Sequence, residues 1–287
     1  MLCLYAQRDS VGCRTIALLI LAFGGFALKG LIGVFEQVRI ILQGGVFAVA
    51  GKIENVQIIR ETTPDSGDIL IHHEQTVQML REVASGQREA TLRMYQPNPT
   101  VAFGRRDELN PGFADAVAAC EEHGFRTLVR KVGGHAAAYH RGCLVVDHFQ
   151  PASDARSGNT VRYRLFGSMF AQALREVGVD ARVGEIPGEY CPGEYSVYAQ
   201  LPESAGGGRI KLVGTAQRVV SGGWWFSTGI VVSDSASLRA VTADVYRALG
   251  MELDPATVGA AQDANPHLLM EDLEDAIVEA YASHGFK

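Results

Sequence analysis

Cys191 stands in Gly-Glu-Tyr-Cys-Pro-Gly-Glu-Tyr-Ser-Val (188–197), a Pro/Gly loop running into an apolar strand pattern. A cysteine between Tyr190 and Pro192 is not placed like a core filler, whereas Cys120 closes a helical pattern and Cys143 opens an apolar strand. Cys191 is therefore the candidate nucleophile, although most loop cysteines are inert. Twenty positions later Lys211 sits inside Gly-Arg-Ile-Lys-Leu-Val-Gly-Thr-Ala-Gln-Arg-Val (208–219). A lysine in an apolar strand that ends at Gly214 either snorkels to the surface or serves a site. The third segment, Val129–Phe149, holds a strand, the pair Gly133-Gly134, the run Ala136-Ala137-Ala138 and a second strand. Paired glycines let backbone N–H groups approach a ligand, and small side chains leave room for an apolar chain. A tight loop packed on a helix is the plainer reading of the same residues.

Other arrangements stop short of a working centre. His73-Glu74 begins a zinc-helix motif, but Val77 occupies the second histidine's place. The glycines ahead of Lys211 lack the Ser or Thr that a phosphate loop needs after its lysine, since Leu212 follows. His135, His140 and His148 alternate between strand and loop positions, where nothing forces them to converge, so hydrogen-bonded or solvated histidines are the default. Five cysteines without a C-x-x-C pair form neither a disulfide framework nor a zinc ribbon, and no metal is expected.

The elements that must position these residues follow from periodicity. Helices are predicted over Ile69–Val83, Ala114–His123, Val161–Val177, Leu238–Leu249 and Leu268–Tyr281. Strands are predicted at Ala90–Tyr95 and Thr100–Phe103, joined through the turn with Pro97 and Pro99. More follow at Thr127–Lys131, Cys143–Phe149, Ser196–Gln200, Ile210–Val213 and Trp224–Val232. Strands outnumber helices and do not alternate with them, which makes an α+β fold, a mixed sheet with flanking helices, the expected architecture.

The chain of 287 residues is 47% hydrophobic and 20% charged, a globular composition. Its net charge of −6 excludes a protein built mainly for nucleic acid, which needs a basic footprint. Residues 1–52 run against that sign, with Arg8, Arg14, Lys29, Arg39 and Lys52 against Asp9 and Glu36. They also hold the apolar stretch Ile16–Leu28, which reaches the ~20 residues of a membrane span if it continues to Phe35. A dispensable extension, an anchor through residues 16–35 and a hydrophobic arm packed on the body all fit. The expected division is an extension at 1–52 and one domain at 53–287, with reduced thiols placing the body in the cytoplasm.

The order V-R-K-x-G-G, strand, K-L-V-G-T-A-Q-R, strand resembles the lipoate/octanoate attachment family, which shares its fold with biotin protein ligases. E-Y-C-P-G-E-Y-S-V resembles its cysteine-dependent octanoyltransferases, in particular the amidotransferases that move octanoyl from the glycine-cleavage H protein. The resemblance covers roughly residues 55–287. Arg130-Lys131 stands where the family has R-R, and Tyr139 where ligases usually have histidine, with His140 displaced by one.

The resemblance implies a biotin/lipoate protein ligase-like catalytic domain with Cys191 and Lys211 as catalytic residues. Cys191 would form an octanoyl or lipoyl thioester that a lysine of an acceptor lipoyl domain displaces. Lys211 would favour the thiolate and donate a hydrogen bond to the acyl oxygen. Arg130, Gly133, Gly134, His135, Ala137, Gly214, Thr215 and Ala216 would bind substrate, Gly133 and Gly134 lining the acyl slot and backbone N–H groups near Thr215 and Ala216 completing the oxyanion site. Burying an octanoyl chain at ~0.8 kcal/mol per methylene contributes roughly 5 kcal/mol.

No cofactor is implied. The implied partners are an octanoylated donor, either the glycine-cleavage H protein or an acyl carrier protein, and the lipoyl domains of 2-oxoacid dehydrogenase complexes. Membrane contact enters only through residues 16–35. Two alternatives remain: an ATP- and Mg-dependent lipoate ligase, in which Cys191 is a bystander, and a non-catalytic module binding lipoyl domains or an acyl chain.

Overall fold

The computed structural model describes the backbone of residues 4–8, 14–18, 39–43, 46–53, 56–62 and 69–284, with side chains over 56–62 and 70–284 except 205. The strands β1 (Leu4–Arg8) and β2 (Arg14–Leu18) pair with each other. Then come β3 (Arg39–Gln43), β4 (Val46–Ile53), β5 (Val56–Thr62), helix α1 (Ile69–Ala84), β6 (Ala90–Tyr95), β7 (Thr100–Phe103), the short α2 (Arg105–Glu108), α3 (Phe113–Glu122) and β8 (Arg126–Val129). The chain continues through β9 (Ala137–Tyr139), β10 (Cys143–Pro151), α4 (Asn159–Glu176), β11 (Ala181–Val183), β12 (Val197–Gln200), β13 (Arg209–Val220) and β14 (Gly223–Val231). Helices α5 (Ser235–Ala248), α6 (Ala261–Ala264) and α7 (Met270–Ser283) follow.

Among the described residues the strands form a large sheet of order β11-β12-β13-β14-β10-β6-β5-β4-β3 and a small one of order β8-β7-β9. The β5–β6 and β7–β8 pairs are parallel and the other pairs antiparallel, so the fold is α+β with mixed sheets. The strands predicted around Pro97 and Pro99 do not pair with each other: β6 enters the large sheet and β7 the small one. The strand predicted to stop at Gly214 runs on to Val220, because β14 pairs with it throughout.

Period-two alternation assigns the two faces. Leu144 and Val146 of β10, Ile210 and Leu212 of β13, and Trp224 and Phe226 of β14 enter the core beneath α4 and α7. His148 belongs to that layer, 4.9 Å from Trp224 by ring centroids and hydrogen-bonded to Gln150 at 3.1 Å. The residues between them face the other way. Cys143 and Val231 join a second core with the small sheet and with α3 and α5. Lys211, flanked by Ile210 and Leu212, must therefore point toward the second layer and the small sheet.

Strand β4 spans the 52/53 boundary expected from sequence and, with β3, extends the large sheet. Ile16–Leu18 of the apolar N-terminal stretch lies in β2, while residues 19–35 lie outside the described residues. Among the described residues no helix is long and apolar enough to cross a membrane.

Candidate active site

Cys191 sits between β11 and β12 with φ +43°, in the left-handed region that a non-glycine residue adopts at a cost of about 1–3 kcal/mol. Its loop is accordingly tied down from three sides. The Tyr246 hydroxyl of α5 accepts the Cys191 N–H at 2.6 Å and donates to the Ala136 carbonyl at 3.1 Å. Lys211 Nζ donates to the carbonyls of Tyr190 and Cys191 at 2.8 and 2.9 Å. Glu189 Oε1 accepts Gly193 N–H at 3.0 Å and the Ser196 hydroxyl at 2.8 Å, and lies 3.4 Å from Lys211 Nζ. The Lys211 and Glu189 side chains are 1% and 0% exposed. Burial pulls the Lys211 ammonium below its ordinary value, although the Glu189 charge works against that.

Lys211 is thus no snorkelling lysine. Its three N–H donors are directed at two main-chain carbonyls and one carboxylate, so a direct hydrogen bond to an acyl oxygen would require one of them to exchange. Its first effect is on the shape of the loop that carries Cys191.

The sulfur meets donors. His135 N–H points to Cys191 Sγ at 3.1 Å, and Arg130 Nη2 lies 3.7 Å from it while donating to the His135 carbonyl. Burial opposes the Arg130 charge, but its neighbours outweigh that and hold it above its ordinary value. Gly134 permits the approach. With φ +101°, a Cβ there would lie 2.8 Å from Sγ and 2.5 Å from Arg130 Nη2. The His135 imidazole turns to Asp107, Nδ1 to Oδ1 at 2.7 Å, and Asp107 Oδ2 accepts Gly104 N–H at 2.8 Å. A buried carboxylate in this way anchors the segment that brings the His135 N–H to the sulfur.

A cavity of about 290 Å³ opens beside Sγ. Arg130, Gly133, Gly134, Ala137, Cys191, Lys211, Gly214, Thr215 and Ala216 all line it. His135 joins through its main chain rather than as a lining side chain. Tyr139, Tyr163 and Tyr190 also line it, and burial pushes all three phenols up, so they present neutral surface to a ligand. Gly229 accommodates Tyr139, since a Cβ there would lie 2.4 Å from the ring.

Thr215 and Ala216 pair with Thr228 and Ser227 on β14. N–H groups alternate between the two edges of a strand, so one of these two faces β14 and the other faces away from it. On that far edge β12 pairs with Arg209–Val213 and stops. One N–H, not two, is open to an oxyanion there.

The remaining sequence candidates lie apart from this centre. His140 bonds the Asp234 carbonyl and Gly142 N–H, both at 2.9 Å. Burial pushes the thiols of Cys120 and Cys143 up to about 12. Cys3 and Cys13 lie outside the described residues. Among the described residues, no group of three or more His, Cys, Asp or Glu side chains is placed to hold a metal ion.

The profile of the lipoyl protein ligase A/B catalytic domain matches residues 68–285, which include every residue of this cavity. The chain belongs to that family. Among curated relatives, an octanoyl-GcvH:protein N-octanoyltransferase from Geobacillus kaustophilus is 29% identical over 59% of this chain and 57% of its own length. One of the same name from Exiguobacterium sibiricum is 28% identical over 68% and 71%. The chain thus spans little more than half the length of the first relative. The crystal structure of a lipoate-protein ligase A bound with ATP superposes with a TM-score of 0.59 at 17% identity, covering 80% of this chain and 84% of that one, which establishes the common fold.

Within this lipoyl protein ligase A/B domain, sequence reasoning missed Asp107, Glu189 and Tyr246. Glu189 carried a signal, a carboxylate two residues before the cysteine of a loop that also required a lysine. Tyr246 lies one residue after Val245 on the buried face of α5 and reads as core. Asp107 lies in a four-residue helix far from Cys191 in sequence, and no pattern marks it.

Proposed function

We propose that the chain is a cysteine-dependent acyltransferase that moves an octanoyl or lipoyl group from a donor protein to a lysine of an acceptor lipoyl domain through a Cys191 thioester. The observation that carries this reading is the meeting of a thiol, two sulfur-directed donors and a tyrosine-walled cavity on one pinned loop. The names of the curated relatives support the acyl group and the glycine-cleavage H protein as a donor.

In the first half-reaction Sγ, having lost its proton, attacks the carbonyl carbon of the octanoyl amide. The C–N bond breaks, the donor lysine leaves as an amine after gaining a proton, and a thioester remains on Cys191. In the second, the ε-amine of the acceptor lysine attacks the thioester carbonyl and loses a proton. The C–S bond breaks and Cys191 is regenerated. Arg130 and the outward N–H of Thr215 or Ala216 stabilise charge on the acyl oxygen in both steps. Lys211 and Tyr246 hold Cys191 where the His135 N–H meets it.

The test is intact-mass spectrometry of the chain after incubation with octanoyl-H protein or octanoyl-acyl carrier protein. A gain of one octanoyl group, absent in Cys191→Ser, is expected, and the two donors resolve amide from thioester cleavage. Retention of lipoate- and ATP-dependent activity by Cys191→Ser would establish the ligase alternative. An unmodified Cys191 with tight acceptor binding would point to the non-catalytic module.

A further inference from the structure

A second depression adjoins the nucleophile cavity. It measures about 470 Å³ and is lined by Arg105, Glu108, Val129, Arg130, Lys131, Val132 and Arg218. Arg130 lines both spaces, so the cleft lies next to the Cys191 cavity across that side chain. Four of its seven lining residues are cationic and one is acidic. That acid, Glu108, is engaged in an ion pair with Arg105, three residues earlier on α2. Lys131 is exposed, and the Arg218 guanidinium donates to the Lys131 carbonyl at 2.7 Å, which fixes its place on the rim. Among the described residues neither Lys131 nor Arg218 has a carboxylate at ion-pair distance. In a chain of net charge −6 this concentration runs against the overall sign.

We infer that the Lys131–Arg218 rim is a docking surface for an acidic protein face surrounding the lysine that gives or receives the acyl group. The inference rests on the acyl transfer proposed above and adds to it how the protein partner is held. A lysine side chain is a four-carbon stem, so the surface that bears it must come down onto the rim for its amine to reach the thioester. A bare lysine ammonium approaching Arg130, Lys131 and Arg218 is repelled. Carboxylates flanking that lysine reverse the sign of the encounter and are matched by two cations that have no ion-paired acid among the described residues. Exposed charges act within a Debye length of about 8 Å at physiological salt, so this attraction governs capture and not the chemical step.

The test uses the full chain and an acceptor domain carrying acidic residues beside its lysine. Binding is measured by titration calorimetry on unacylated proteins, so it does not depend on the acyl transfer. Lys131→Glu, and separately the gentler Lys131→Gln with Arg218→Gln, should weaken binding about tenfold and flatten its salt dependence. Replacing the acceptor's flanking acids by amides should weaken wild-type binding by a similar factor and leave the variants little changed. Acylation of Cys191 by an octanoyl thioester of a small thiol should be unaltered by the variants. Equal affinity of wild type and both variants at low and high salt would overturn the inference, as would preferential capture by anionic vesicles over the acceptor domain. Failure of wild-type Cys191 to accept the small thioester would instead overturn the acyl-enzyme reading and leave the binding result to judge the rim.

Discussion

Replacing Lys211 by methionine keeps an unbranched apolar stem one atom shorter and removes the charge and the three donors. Glu189 would then be a carboxylate of 0% exposure without its cation, its Oε2 already lacking a hydrogen-bond partner, and the carbonyls of Tyr190 and Cys191 would lose their donor. Removing one member of a buried ion pair costs about 3–5 kcal/mol. In a domain of this size each kcal/mol moves the melting temperature by about 2–4 °C, so Lys211→Met should melt roughly 10 °C lower. Adding Glu189→Leu removes the orphaned charge, and such apolar replacements of buried pairs are often neutral or better. The double variant should therefore recover part of the lost stability, because the Gly193 N–H, the Ser196 hydroxyl and the Tyr190 and Cys191 carbonyls still lack the partners they had. It should not recover acylation of Cys191, because nothing then holds the Tyr190 and Cys191 carbonyls and the left-handed backbone at Cys191 relaxes. Calorimetric melting and the rate of thioester formation by intact mass separate the two effects. A Lys211→Met variant that melts with the wild type would refute the pairing argument, and a double variant with wild-type acylation would show that Lys211 matters for folding alone.

Gly134→Ala should stop acylation at nearly unchanged secondary structure, since the added Cβ falls 2.8 Å from Sγ on a φ of +101°; circular dichroism and thioester formation measured together check it. Tyr246→Phe removes the hydroxyl that links Cys191 N–H to the Ala136 carbonyl, costing about 1–3 kcal/mol and slowing acylation more than it weakens acyl binding, as denaturant melts and single-turnover kinetics would show. Burial holds the His148 imidazole down to about 4 against an unfolded value of 6.5, so the unfolded chain binds the proton first as pH falls. The stability associated with neutral His148 should be intact above pH 6.5 and decline toward pH 4 by about 3 kcal/mol, and His148→Gln should flatten that slope in pH-dependent urea melts.

The sequence made the helices and most strands legible because each has one buried face and hence a clear period. It was silent on which sheet a strand joins: β6 and β7 read alike, and only long-range pairing sends one to each sheet. The site divides along the same line. Cys191, Lys211 and the glycines announce themselves by standing where their residue types have no packing reason to be. Asp107 and Tyr246 do not, because their roles exist only once α2 and α5 are packed against the nucleophile loop. Lys211 shows how far the local reading reaches. Alternation with Ile210 and Leu212 fixes the face it must occupy, and burial then demands a counter-charge and acceptors for its donors. Glu189 and the carbonyls of residues 190 and 191 meet that demand, all from the segment that carries the nucleophile. A buried lysine satisfied by the nucleophile's own loop cannot change position without moving the sulfur. In the proposed transfer the part played by this amine therefore begins with the geometry it imposes on Cys191, before any contact with an acyl oxygen.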